Sequence, residues 1–359
     1  MLLPEGYTIS GGLFFFFLLG YVSLTLACVM GTHLAYKQAA LCDTTRIIKT
    51  VGHIPASWRA FARPSPDTIN YKLIMVMAWT VVPMRFALAT MLHFAAILIS
   101  CVPSERLLVA VIPLSAKIVL RVFGLDVRQH GHRLSPMEAP TIAANHVSYF
   151  DIYVLQSCGV APLSFVAKSA VEDMYIIGHL ARAFDCVFVS RGKCPEERKH
   201  VVDKIRKKQE RVINGATRFQ LCVFPEGTTT NGRSVMKFRK GAFESLLPVQ
   251  PVRLDYTSDH SSYTCLDLLY HMLLHLAIAS IEDVYCDVYW LPKVGDSGTT
   301  WTGEGIANKA RLEIARACDR QDSLHLILDD NASLEGHYEI TNFLLNAKTA
   351  LSSSHIKSD

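Results

Sequence analysis

Apolar and polar positions divide the chain into two regimes. Up to about residue 103 the apolar residues come in long runs; beyond it they come in short runs separated by polar, helix-periodic stretches. Leu13 to Met30 (LFFFFLLGYVSLTLACVM) is uncharged over eighteen residues, about the minimum for crossing a hydrocarbon core. The leader MLLPEGYT carries Glu5 and no basic residue, and the run is too long for the apolar part of a signal peptide, so a retained anchor is expected. A second run, Leu73 to Val102, is interrupted by Pro83-Met84-Arg85. Pro83 removes a helix hydrogen bond and an arginine is costly in lipid, so two half-length helices in a re-entrant hairpin are expected in preference to one span.

From about residue 104 the alternation of apolar runs and helical stretches predicts an α/β domain with a mostly parallel central sheet flanked by helices. The predicted strands are 141-TIAA, 164-SFVA, 186-CVFVS, 219-FQLCVF, 249-VQPVRL and 284-VYCDVYW. Helices are predicted over 105–122, 149–158, 171–182, 196–213, 241–247, 265–280 and 305–317. The expected organisation is an anchor and basic loop (1–70), an apolar hairpin or transmembrane segment (71–103), the α/β domain (104–330) and a tail (331–359). The end of that tail, AKTALSSSHIKSD, is expected to be disordered.

Composition supports the membrane reading: half of the 359 residues are hydrophobic and 19% are charged. The net charge of +4 is modest; it suits an anionic bilayer or a phosphate-bearing substrate and gives no reason to expect nucleic acid. Residues 31–72 carry six Lys and Arg against Asp43 and Asp67, which places this loop on the cytosolic side by the positive-inside tendency. With the hairpin returning to the same side, everything after residue 103 is then cytosolic. The ten cysteines form no CxxC pair, which argues for reduced thiols and against a zinc site. Helix 196–213 carries seven basic residues, read first as a solvated face and second as a contact for anionic headgroups.

Two stretches carry candidate chemistry. In 144-ANHVSYFD-151 a histidine and an aspartate stand five apart. Within a regular helix they would diverge by roughly 140°. They meet only if His146 lies in the turn before a helix and Asp151 in its first turn. That placement also suits Ser148 as N-cap with Asp151 completing a capping box, so the pair reads equally as catalytic or as a polar helix start. The second stretch, 222-CVFPEGTTTNG-232, breaks from a strand at Pro225 into a glycine-containing polar loop, where an α/β sheet presents its ligands. Gly227 allows close approach, and Arg233, Lys237, Arg239 and Lys240 follow with positive charge suited to phosphate.

NHVSYFD, CVFVSR, FPEGTTTNG and VQPV stand in the order and spacing of the four motifs of glycerophospholipid acyltransferases, which this sequence resembles over roughly residues 71–330. The stretches 164-SFVAKSAV, 236-MKFRKGAF and 121-RVFGLDVRQHG also match, most closely in the branch acting on lysophosphatidylcholine and lysophosphatidylethanolamine. The resemblance implies an acyl-CoA-dependent O-acyltransferase bound to endoplasmic reticulum or Golgi membrane, its domain facing the cytosol. Acyl-CoA would be co-substrate, with no bound cofactor and no metal. It implies His146 as general base assisted by Asp151; Arg191, Glu226, Gly227 and Thr228 at the acceptor phosphate; and Lys168, Lys237, Arg239 and Pro251 on the acyl-CoA side. A neutral imidazole suits a base for an alcohol attacking a thioester, because histidine ordinarily titrates near neutrality. No covalent acyl-enzyme is required, since the acceptor hydroxyl is itself the nucleophile.

There are two departures. Asp185 stands where the family tends to have glycine, which bears on how the acceptor headgroup is held, and no calcium-binding loop follows the domain. A CoA-independent transacylase, a lysophosphatidic acid acyltransferase and a non-catalytic membrane scaffold are the competing readings. The acceptor headgroup, acyl-chain preference, oligomeric state and source of an oxyanion hole are left open.

Overall fold

The computed structural model describes residues 9–41, 43–63, 69–102, 104–159, 161–190, 194–261, 268–295, 300–317 and 327–333, with 335, 337, 339, 340 and 342. The end of the expected disordered tail lies outside the described residues.

The first apolar run forms one helix, α1 (Ile9–Leu41), about 50 Å long at the usual rise. A short helix α2 (Thr44–Val51) follows. The second run forms α3 (Tyr71–Thr80) and α4 (Val82–Ser100). The two expected half-length helices are thus 10 and 19 residues long, the second long enough for a full span. Val81, the single turn residue between them, keeps right-handed helical backbone (φ −91°, ψ −40°), so the joint is a kink beside Pro83. Within α1 and α4, Phe17–Ala40 and Val82–Ser100 are long and apolar enough to cross a membrane. Arg85 does not face lipid: its Nη1 donates to the Ala279 carbonyl at 3.2 Å and the Ser280 hydroxyl at 3.3 Å.

Next come α5 (Glu105–Phe123), started by Ser104 and stopped by left-handed Gly124, and β1 (Leu125–Gly131). They are followed by β2 (Thr141–Ala144), α6 (Asp151–Ser157), β3 (Leu163–Lys168), α7 (Ser169–Glu172), α8 (Tyr175–Ala183) and β4 (Val187–Val189). Then α9 (Pro195–Ile213) leads to β5 (Gln220–Val223), β6 (Ser234–Met236) and β7 (Val249–Tyr256). The chain closes with α10 (Leu268–Ile278), β8 (Val284–Trp290), α11 (Gly303–Arg316) and β9 (Ile327–Asp329).

Seven strands form one sheet in the order β1-β8-β7-β2-β5-β3-β4. The five from β7 to β4 run parallel; β8 joins β7 antiparallel and carries β1 parallel to itself. Separately, β6 pairs with β9. All six predicted strands are present. The helix predicted over 171–182 is two helices, α7 and α8, and that over 241–247 is a single 3₁₀ turn at Lys240–Ala242.

The central parallel strands β2 and β5 are buried on both faces, as such strands require. Ile142 and Ala144 join a core with α5, α6 and α10, while Ala143 joins a second core with α9 and α11. The first core continues without a break into Cys28, Ala35 and Ala39 of α1 and into Val82 and Ala89 of α4. The opposite sides of these helices expose large apolar residues, among them Phe17, Met30, Met84, Met91, Phe94 and Leu98. At the crossing of α1 and α10, Gly31 lets Leu273 close in; a Cβ there would fall 2.5 Å from Leu273 Cδ1. Residues 43–63 form a compact loop whose ends are tied by Thr44, which donates from N (3.0 Å) and Oγ1 (2.6 Å) to the Arg63 carbonyl.

Candidate active site

The site lies beyond the carboxyl ends of β2, β5 and β7, where a parallel sheet leaves a crevice. After Ala144 the β2–β7 ladder ends, and Asn145 extends it with its side chain. Its Oδ1 accepts from Leu254 N (2.7 Å) and its Nδ2 donates to Leu254 O (3.0 Å). The amide thus imitates a peptide group and fixes where the next residue begins.

That residue is His146, held by backbone on both sides. Its N–H donates to Glu226 Oε1 at 2.8 Å, and its carbonyl accepts from Thr230 N at 2.8 Å. Its ring stacks on Phe224, with centroids 4.0 Å apart and planes at 13°. As the spacing required, His146 stands in irregular backbone before α6, and Asp151 opens that helix. The two meet at 2.7 Å, His146 Nδ1 to Asp151 Oδ2.

Asp151 is fully buried, and its carboxylate accepts four hydrogen bonds. Besides His146, Oδ2 takes Val147 N (2.7 Å) and Ser148 N (3.0 Å), and Oδ1 takes the Tyr256 hydroxyl (2.6 Å). A carboxylate only accepts, so Nδ1 carries the imidazole proton and a neutral ring keeps its lone pair on Nε2. His146 is 21% exposed against 0% for Asp151, so the ring opens outward from a sealed anchor. The helix-start reading holds only in part: Phe150, not Ser148, is the N-cap of α6 and makes no side-chain cap bond, while Ser148 Oγ accepts from Phe150 N (3.3 Å) and Asp151 reaches back to Ser148 N. One carboxylate serves both ends.

Glu226 is 2% exposed, and its oxygens are occupied by His146 N and by Met236 N (2.9 Å). Burial pushes its carboxyl up to about 8, against the pull of these two N–H groups. The residue clamps the backbone of the histidine and does not reach toward solvent. The neighbouring Gly227 has φ +77°, and a Cβ there would lie 2.7 Å from Arg239 Nε. Glycine therefore serves a left-handed turn and the passage of an arginine across it. Arg239, whose own N–H donates to Pro225 O at 2.9 Å, is exposed; Thr228 in the same loop is half-buried.

The structure brings His146, Asp151, Glu226, Gly227, Thr228 and Arg239 together. Lys237 is exposed two residues before Arg239, and Lys168 is exposed at the end of β3, two strands from β2. Pro251 is buried inside the sheet, paired with Ala143 and with its carbonyl taken by Leu291 N at 3.1 Å. Arg191 lies outside the described residues. Asp185 has φ +54°, which accounts for a glycine preference at this position. Its carboxylate turns to α9, taking Lys208 Nζ (2.6 Å) and Thr217 Oγ1 (3.1 Å), and not to the loop of Gly227. Lys208, one of the basic residues expected on a solvated face, is consequently buried.

Tyr256, Phe224 and Thr230 are not foreseen from the sequence. Tyr256 closes β7, and its relevance depends on β7 lying beside β2, a neighbour relation that local pattern does not carry. Burial drives its phenol well above the ordinary tyrosine range, so it stays protonated and donates to Asp151 throughout the working pH range. Tyr256→Phe is expected to remove a charge-assisted bond of about 1.5–3 kcal/mol. A lowered denaturant midpoint together with reduced turnover would show it; an unchanged midpoint would mean Asp151 does not need the phenol.

Residues 126–255 match the family model described as Acyltransferase. The chain is similar to Lysophospholipid acyltransferase LPCAT4 of Mus musculus, 37% identical over 133 residues, covering 37% of this chain and 24% of that protein. It is 39% identical to Lysophosphatidylcholine acyltransferase 2 of Homo sapiens over 143 residues, covering 39% of this chain and 25% of that protein. To Lyso-ornithine lipid O-acyltransferase of Rhodobacter capsulatus it is 32% identical over 157 residues, 42% of this chain and 52% of that one. The match thus spans about a quarter of the length of the first two relatives.

Proposed function

From the premise that residues 126–255 form an acyltransferase-family domain, we propose that the chain moves a fatty acyl group from acyl-CoA to the free hydroxyl of a lysophospholipid at a membrane. The observation that carries the reading is the fixed pair His146–Asp151, opening beside the loop of Gly227 and Arg239. His146 Nε2 takes the proton of the acceptor hydroxyl as its oxygen bonds to the thioester carbonyl carbon. Asp151 stabilises the imidazolium that forms. When the carbon–sulfur bond breaks, the imidazolium returns the proton to the departing CoA thiolate. The loop of Gly227 and Thr228, with Arg191, holds the acceptor phosphate; Arg239 and Lys237, expected on the acyl-CoA side, are reassigned to it because Arg239 crosses Gly227. Glu226 acts as a positioning residue through the histidine backbone. Lys168 and Pro251 remain assigned to the acyl-CoA side, Pro251 by shaping the strand.

The length and apolar character of α1 and α4 support a site at the lipid surface, and the resemblance points to endoplasmic reticulum or Golgi membrane. The packing of the basic loop 43–63 on the domain supports both lying on one side of the bilayer, and its positive charge favours the cytosol as that side. The test offers lysophosphatidylcholine, lysophosphatidylethanolamine and lysophosphatidic acid with labelled acyl-CoA, first to purified protein and then to sealed microsomes. Acyl-CoA does not cross membranes, so full activity without detergent is expected. Product formed only from a labelled phospholipid donor would make the protein a transacylase. Lack of product from either donor would reject the reading, and activity that appears only after permeabilisation would reverse the orientation.

A further inference from the structure

We propose that the loop 43–63, which precedes the acyltransferase domain by more than sixty residues, is part of the catalytic apparatus, and that Asn231 is the positioning residue joining it to His146. The inference rests on the reading above and extends it to a segment outside the matched domain.

Asn231 makes three hydrogen bonds to one short stretch of that loop. Its N–H donates to Ala60 O at 2.7 Å, and its Nδ2 donates to Arg59 O at 2.7 Å and Ala62 O at 2.9 Å. The residue before it, Thr230, donates N to the His146 carbonyl. The residue after it, Gly232, lies so close to Val147 that a Cβ would meet Val147 Cγ1 at 3.1 Å. One peptide therefore touches the catalytic turn on one side and the distant loop on the other.

A second path runs in parallel. Phe61, Ala60 and Trp58 pack with Ile47 against Met236, forming an apolar cluster apart from the two sheet cores. Met236 N donates to Glu226 Oε2, and Glu226 Oε1 takes His146 N. The backbone N–H and carbonyl of the histidine are thus each linked to the same loop, the first through Glu226 and Met236 and the second through Thr230 and Asn231. The loop itself is firmly seated: Arg63 is fully buried, with Nη2 donating to His260 O at 3.1 Å. Four carbonyls of this stretch, those of Arg59, Ala60, Ala62 and Arg63, have hydrogen-bond donors supplied from outside their local turn. Such saturation is what a buried loop needs, because an unpaired carbonyl there is costly.

A small displacement of a general base lowers the rate of the chemical step more than it weakens binding. Asn231→Ala in the full-length purified protein is therefore expected to lower kcat by about 10²-fold with KM changed by less than about threefold. Trypsin is expected to cut faster after Arg59. Phe61→Leu, which preserves apolar character and most of the volume, loosens the same loop while leaving every polar group of the site intact. It is expected to lower kcat in the same direction by a smaller factor. Asn231→Asp keeps the acceptor for Arg233 N but sets a carboxylate against two carbonyls, so it is expected to behave like the alanine variant. A kcat within twofold of native in both Asn231→Ala and Phe61→Leu would overturn the inference, whether or not trypsin gains access. An equal loss in kcat/KM arising from KM alone would overturn it too. Neither result would touch the proposed reaction, which fails only if the native protein transfers no acyl group.

Discussion

With alanine at position 146 the protein is expected to fold and insert normally while its turnover falls by about 10³-fold. The backbone bonds to Glu226 and Thr230 use the N–H and carbonyl that alanine retains. Asp151 keeps three of its four donors, Val147 N, Ser148 N and the Tyr256 hydroxyl, so its buried charge stays compensated. What is lost is the stack on Phe224 and one hydrogen bond, a destabilisation of about 1–3 kcal/mol that a folded domain survives. Steady-state kinetics with labelled acyl-CoA, run beside a thermal unfolding curve, checks both halves. Turnover within tenfold of native would remove the imidazole from the reaction.

Asp151→Asn separates the two duties of the carboxylate. Asparagine can keep its oxygen toward Val147 N, Ser148 N and His146 Nδ1 and turn its NH₂ to the Tyr256 oxygen, so the start of α6 persists. It brings no negative charge to an imidazolium, and the loss in turnover is expected to be on the order of 10³-fold. Because histidine and aspartate act as a unit, the double variant His146→Ala/Asp151→Asn is expected to be no slower than His146→Ala alone. A protein of reduced stability whose turnover per folded molecule is native would instead assign Asp151 to capping only.

How much of this was legible in the sequence depended on whether the signal was local. Apart from β1, the strands of the seven-stranded sheet are short apolar runs ending at turn residues, and all six are legible. β1 (LDVRQHG) was missed because, at the edge of the sheet, it buries mainly Leu125 and Val127 and reads as polar. The two-stranded β6–β9 sheet is three residues long in each strand, too short for any period to show. Proline at 83 announced a break but not its form, since a kink and a hairpin share the same residue. Within the site, His146 and Asp151 are five residues apart and their meeting follows from helix geometry. Tyr256 is 105 residues from Asp151 and Asn231 is 169 from Ala62, so those bonds follow from strand order and loop docking. Glu226 shows the converse. Its place in a motif was plain, but only its burial reveals that both oxygens face inward.

The contact of Gly31 with Leu273 makes the anchor something other than a tether. On the proposed reading, a helix pressed into the body of the domain sets the height of the His146–Asp151 crevice relative to the bilayer that the helix enters. Selection among acceptors would then begin with depth: a lipid whose free hydroxyl floats at the wrong level would not meet the proposed base, whatever its headgroup.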